Sequence, residues 1–249
     1  MIKQYKISVP KSTLNEIYKK VRNFPWSAAQ NMNGWEYGTN LNYLKSISKY
    51  WITKYDWKKF ENKINSLKNY RTKVEDINLH FIFEKSKNPN SRPLLLLHGW
   101  PGSITEFLDI IPRLAHPEKY GGKIEDGFDV IVPSLPGFGF SSQIKKALGP
   151  RKIGKILNKF MVKNLGYKNY FVQGGDWGAT IAGWIGLDSS KNCKGIHINC
   201  LPLRHPKGPK NSKEKKWEKK FNFDQIMQEG YRTQQATKPQ TLSYAMIDS

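Results

Sequence analysis

Gln173-Gly174-Gly175-Asp176-Trp177-Gly178 places an acidic side chain at the centre of a G-x-D-x-G pentapeptide. The spacing is that of a nucleophile elbow, a sharp strand-to-helix turn, with Asp where Ser is the more familiar residue. Glycines flank the centre because the turn is tight, puts its central residue in strained geometry and brings neighbouring strands close. At the N-terminus of the following helix, the dipole and free N–H groups favour an ionised carboxylate with a low pKa. Such a carboxylate can attack an electrophilic sp³ carbon directly and form an ester, a step that needs no base. Asp is also a preferred helix N-cap, so Asp176 could instead serve only to start the helix at Trp177.

A second segment makes the chemical reading stronger. Leu97-His98-Gly99-Trp100-Pro101-Gly102-Ser103 directly follows an apolar run. The backbone N–H of Trp100 can converge with that of Trp177 to form an oxyanion hole. His98 has the chemistry of a base, but its place at a strand end suits fixing the loop. Two motifs in this order, each at a strand end, are far more specific than either alone.

The elements around them must supply those strand ends. Pro93 to Leu97 is a continuous apolar run of the kind buried on both faces of a parallel sheet, and Phe128 to Val132 is another, ended by Pro133. Val74, Ile77, Leu79, Phe81 and Phe83 alternate as a strand does. A helix with Ile153, Ile156, Leu157, Phe160 and Met161 on one face leads to the strand Tyr170-Phe171-Val172. Thr180, Ile181, Trp184 and Ile185 mark the helix after the elbow, and Gly195 to Cys200 a further strand. Strands alternating with helices predict an α/β fold with a mostly parallel sheet.

Before residue 74 the pattern is helical. Thr13 and Glu16 suggest a capping box, and Leu14, Ile17, Tyr18 and Val21 share a helical face. Phe24-Pro25-Trp26 ends that helix, and Asn31 to Asn40 reads as a loop. Leu44, Ile47 and Trp51 follow at helical spacing, and Asp56 can cap a helix with Trp57, Phe60, Ile64 and Leu67 on its apolar face. This Trp-rich set reads as the seam by which small helices dock on a larger body. After residue 203 the chain turns basic, then helical around Phe221 to Gln228, as an excursion from the sheet.

Composition bounds these readings. The 249 residues are 38% hydrophobic and 24% charged, and eight Trp, 12 Tyr and 12 Phe exclude disorder. No apolar stretch reaches the ~18 residues a membrane-spanning helix needs. The start, MIKQYKISVP, has no apolar h-region, so no signal peptide is expected. Cys193 and Cys200 match neither a disulfide framework nor a zinc motif. The net charge of +21 is spread over the whole chain, and only Lys207 to Lys220 is dense. No nucleic-acid motif accompanies it, so the lysines read as general surface residues, with weak attraction to an anionic membrane face as the lesser reading.

His98 to Ser103, Val132-Pro133-Ser134-Leu135-Pro136-Gly137-Phe138-Gly139-Phe140-Ser141 and Gly174 to Gly178 resemble the epoxide hydrolases of the α/β-hydrolase fold, in the microsomal and juvenile-hormone branch. The region from Tyr5 to about Arg71 resembles that branch's N-terminal helical domain. Gly230-Tyr231 and Gln235 to Thr241 resemble its cap. The resemblance implies three parts: a helical domain over 1–73, a partial α/β-hydrolase core over 74–202 and a partial cap over 203–249.

It also implies a reaction. Asp176 would open an epoxide carbon to give a hydroxyalkyl ester, while Tyr231 would hydrogen-bond the epoxide oxygen and protonate the departing alkoxide. Water would then hydrolyse the ester, with the Trp100 and Trp177 N–H groups holding the oxyanion, to release a vicinal diol. No cofactor or metal is implied. The substrate would be a hydrophobic epoxide, either a juvenile hormone or a xenobiotic. The location implied is the endoplasmic reticulum or microsomal membrane, although the branch's N-terminal anchor is not seen in these residues.

The resemblance also calls for an acid and a His after the nucleophile. His197 reads as a packed strand residue and His205 as the opening of the cap, so neither is assigned. The last strands, the acid and the base are expected to be missing from this sequence, which then reads as incomplete and unable to turn over. Two other functions compete: a haloalkane dehalogenase, which also uses Asp before Trp in such an elbow, and a non-catalytic binder of hydrophobic epoxides or terpenoids.

Overall fold

The computed structural model describes residues 1–30, 34–200 and 207–247. In chain order the elements are β1 (Lys3–Gln4), α1 (Lys11–Arg22), α2 (Leu41–Thr53), α3 (Trp57–Asn65), β2 (Asn69–Val74), β3 (Ile77–Glu84), β4 (Arg92–Leu97), α4 (Ile111–Ala115) and β5 (Phe128–Pro133). There follow α5 (Pro150–Lys159), β6 (Tyr170–Gly174), α6 (Trp177–Asp188), β7 (Cys193–Ile198), α7 (Ser212–Gln228), α8 (Gly230–Thr237) and α9 (Pro239–Ile247).

The chain divides into two compact units, one of Met1–Ser8 with Asp56–Leu201, the other of Val9–Tyr55 with Pro202–Ser249. The first holds a seven-stranded sheet in the order β1-β2-β3-β5-β4-β6-β7. The sheet is mixed. Its β1, β2, β3 and β5 pair antiparallel, whereas β5, β4, β6 and β7 run parallel.

The apolar runs bury both faces. Leu95, Leu97, Ile131 and Val172 pack on one side with Ile156, Leu157, Phe160, Ile181 and Ile185 of the α5–α6 layer. Leu96, Val130 and Val132 pack on the other with Ile7, Ile64, Ile104 and Ile111. Adjacent residues of one strand thus serve opposite layers, which is why the runs show no polar alternation.

Three local expectations need correction. Helix α1 starts at Lys11 behind Pro10, with no side-chain cap, so Thr13 and Glu16 make no capping box. Pro10 already holds a φ of −60° and starts the helix earlier than Thr13 would. The alternating segment expected as one strand is a hairpin: β2 begins at Asn69, inside the region read as helical, and turns at Glu75, whose φ is 56°. Lys3–Gln4 likewise adds a strand to the sheet's edge. The Asp56 cap is present, its carboxylate accepting from the N–H groups of Lys58 and Lys59. In that helix the Trp57 Nε1–H donates to Glu61 Oε2 at 3.0 Å, giving this buried carboxylate a partner.

The second unit consists of helices α1, α2, α7, α8 and α9. Asn40 caps α2 by accepting from Tyr43 N, and Asn211 caps α7 by accepting from Glu214 N. In α7 the Trp217 and Phe221 rings stack at 4.8 Å. Asn31 to Asn33 and His205 lie outside the described residues. No helix among the described residues is long and apolar enough to cross a membrane.

Candidate active site

Strand β6 ends at Gly174, α6 begins at Trp177, and Asp176 sits at the corner with φ 48° and ψ −124°. A non-glycine residue at positive φ is held there only by its surroundings. The surroundings here are backbone. A side chain at Gly178 would run into the main-chain carbonyls of Leu97 and His98, and one at Gly174 into the carbonyl of Gly178. Only hydrogen fits at these positions, so the glycines flanking Asp176 reflect close approach.

The Asp176 side chain makes no cap hydrogen bond to its own helix. Its Oδ1 instead accepts from the main-chain N–H of Trp100 at 2.9 Å. Gly99 makes this possible, since an ideal Cβ there would lie 2.5 Å from Asp176 Cβ and collide with Oδ1. Asp176 is exposed. Trp177 is 50% exposed, and its main-chain N–H makes no hydrogen bond among the described residues. Helix N-termini leave such groups open.

His98 is fully buried and faces away from this chemistry. Its Nδ1 lies 2.9 Å from Gly99 O, and its Nε2 accepts from Leu135 N at 3.1 Å. This pairing assigns the proton to Nδ1, which donates to the carbonyl. Burial holds the imidazole below its ordinary pKa, against the opposing pull of the Gly99 carbonyl. With both ring nitrogens engaged, His98 ties the 98–103 segment to the loop after β5, the fixing role its position suggested.

A second buried histidine anchors the far end of that loop. His80 Nδ1 lies 2.9 Å from Ser134 Oγ and Nε2 lies 3.0 Å from Asn69 Oδ1. Ser141 Oγ accepts from His80 N and donates to Ser134 O. Arg71 donates to Phe140 O at 2.7 Å while its guanidinium lies over the Tyr5 ring. Burial, with the Arg71 charge adding to it, pushes His80 down to about 3. This network escapes sequence reading because its members come from four separate segments with no shared spacing.

Tyr231 lies in α8 of the other unit and is 58% exposed. The expectation that His197 is packed needs correction: it is exposed on β7. Its side chain borders an apolar groove with Leu94, Phe128, Phe171 and Ile196. Cys193 is buried and Cys200 exposed, and both are free thiols. No cluster of metal-ligating side chains occurs among the described residues.

A mixed sheet whose parallel strands β4 and β6 bring a strained Asp elbow up to the main-chain amide of Trp100 is the arrangement of an α/β hydrolase. A family model described as "Epoxide hydrolase N terminus" matches residues 2–107, and one described as "alpha/beta hydrolase fold" matches residues 92–245. The chain is 34% identical to Epoxide hydrolase 1 of Oryctolagus cuniculus, covering 100% of this chain and 59% of that protein. It superposes with a TM-score of 0.87 and 29% identity on the juvenile hormone epoxide hydrolase of the silkworm Bombyx mori, covering 100% of this chain and 63% of that one. The epoxide hydrolase of Aspergillus niger gives a TM-score of 0.86 and 26% identity, covering 99% and 66%. The chain belongs to the epoxide hydrolase family of α/β hydrolases. It spans 57% to 59% of the length of the first curated relatives it matches.

Proposed function

We propose that this chain opens hydrophobic epoxides through an ester on Asp176. The observation that carries this reading is the 2.9 Å hydrogen bond from Trp100 N to an Asp176 carboxylate that does not cap its own helix. One carboxylate oxygen is oriented by that amide, which leaves the other to attack. Attack forms the Oδ–carbon bond as the epoxide C–O bond breaks. Tyr231 would donate its phenolic proton to the departing alkoxide, giving a hydroxyalkyl ester.

Water attacking the ester carbonyl would create an oxyanion where the Trp100 and Trp177 N–H groups can stabilise it. Its collapse would break the ester bond to the alkyl oxygen, one proton of the water going to that departing alkoxide and the other to the Tyr231 phenolate. The Asp176 carboxylate and Tyr231 are thereby restored and a vicinal diol is released. Both nitrogens of His98 are engaged, so it is not available to activate that water. No base is assigned in these 249 residues, and the ester is therefore read as outlasting its formation. The three-part division at 73 and 202, a juvenile hormone or xenobiotic epoxide as substrate and a microsomal membrane location belong to the same reading. The resemblance supports them.

Incubating the 249-residue chain with styrene oxide tests the reading. Intact mass should rise by one epoxide, with diol below stoichiometric amounts. Sustained diol formation would contradict the stalled second step. Alkylation by 1-chlorohexane in place of the epoxide would favour dehalogenation.

A further inference from the structure

The residues before the nucleophile are gripped by main chain on three sides. Gly175 N–H donates to Leu97 O at 3.4 Å, and its carbonyl accepts from Ala179 N at 3.1 Å. The Gly174 carbonyl accepts from the main-chain N–H of Asn199, just beyond β7, at 3.3 Å. What remains open is the Cα face of Gly175, which has no side chain of its own. The Asn199 amide covers that face: an ideal Cβ on Gly175 would lie 2.5 Å from Oδ1 and 3.3 Å from both Cγ and Nδ2.

A residue held at φ 48° persists only where its neighbours over-determine it. Any slack at residue 175 turns the next peptide and swings the Asp176 carboxylate off Trp100 N–H. We infer that Asn199 is a positioning residue for the nucleophile, its amide standing in for the missing side chain of Gly175 and closing the β7 side of the elbow. This rests on the reading of Asp176 as the alkylated group. It also gives a second reason for Gly175: the space its side chain would need is already filled.

The test is the rate of adduct formation with styrene oxide in the 249-residue chain, measured against epoxide concentration. Asn199→Ala should lower the maximal rate about 3- to 10-fold without moving the concentration that gives half of it. Gly175→Ala evicts the amide and should do the same, and the double variant should lose no more than either single one. Thermal unfolding midpoints should stay unchanged, because Asn199 is exposed. Equal rates in parent and Asn199→Ala overturn the inference alone. So do losses that multiply in the double variant, or that follow a fall in unfolding midpoint. Absence of any adduct in the parent removes the reading of Asp176, and this inference with it.

Discussion

Trp100 and Asp176, 76 residues apart, meet through a single hydrogen bond from a main-chain amide to a carboxylate oxygen. The bond joins the loop after β4 to the corner after β6, and those strands are direct neighbours in the sheet. Strand pairing Leu96 with Gln173 and Leu97 with Gly174 fixes the separation of the two loops. The contact is therefore a consequence of register, and residues that disturb the loop ends should disturb it first.

Gly99→Ala tests this most locally. The new methyl would collide with the Asp176 carboxylate, so the side chain must leave Trp100 N–H. Adduct formation should slow at least about 10-fold, equivalent to ~1.4 kcal/mol of lost stabilisation. The unfolding midpoint should fall as well, because the methyl also lies 2.5 Å from Asp176 Cβ, which rotation of the carboxylate cannot move away.

Gly178→Ala should act on stability. Its methyl meets the carbonyls of Leu97 and His98, main-chain atoms that cannot rotate away. Overpacking of this kind costs about 1–3 kcal/mol. Urea denaturation should show a lower midpoint with an unchanged slope.

His98→Ala strands a buried amide, Leu135 N, and the Gly99 carbonyl. Each group left without a partner costs about 1–3 kcal/mol. The loss should appear in urea unfolding, and adduct formation should slow as the Trp100 loop loosens.

Acid should destabilise the fold through His80. Its folded value of about 3 lies below the 6.5 of an unperturbed histidine, so the unfolded chain binds the extra proton between those limits. The contribution to stability is intact above pH 6.5 and lost progressively as pH falls towards 3. The slope from this residue is at most about 1.4 kcal/mol per pH unit. His80→Gln should flatten that limb in urea titrations between pH 6.5 and 4.

Much of this architecture is legible in residue order. The runs Pro93 to Leu97 and Phe128 to Val132 reveal buried parallel strands because both faces are covered. The 98–103 and 174–178 motifs stand out because each follows such a strand. Asp56 is readable as a cap because its partners are two and three residues away. The hairpin at Glu75 is not: Val74 and Ile77 keep the apolar rhythm across the turn and disguise it. Thr13 misleads because Pro10 starts the helix first. The contacts of His80 and Asn199 depend on strands brought together only by folding, and no local spacing records them.

Mapping the alkylated residue is the most direct test of the central claim. Cys200 is an exposed free thiol next in sequence to Asn199, whose amide meets Gly175, and offers epoxides an alternative target, so mass alone does not name the site. After reaction with styrene oxide and proteolysis, fragmentation should place the added mass on Asp176. Asp176→Asn should carry none there. An adduct confined to Cys200, histidines or lysines, formed equally by Asp176→Asn, would contradict the account.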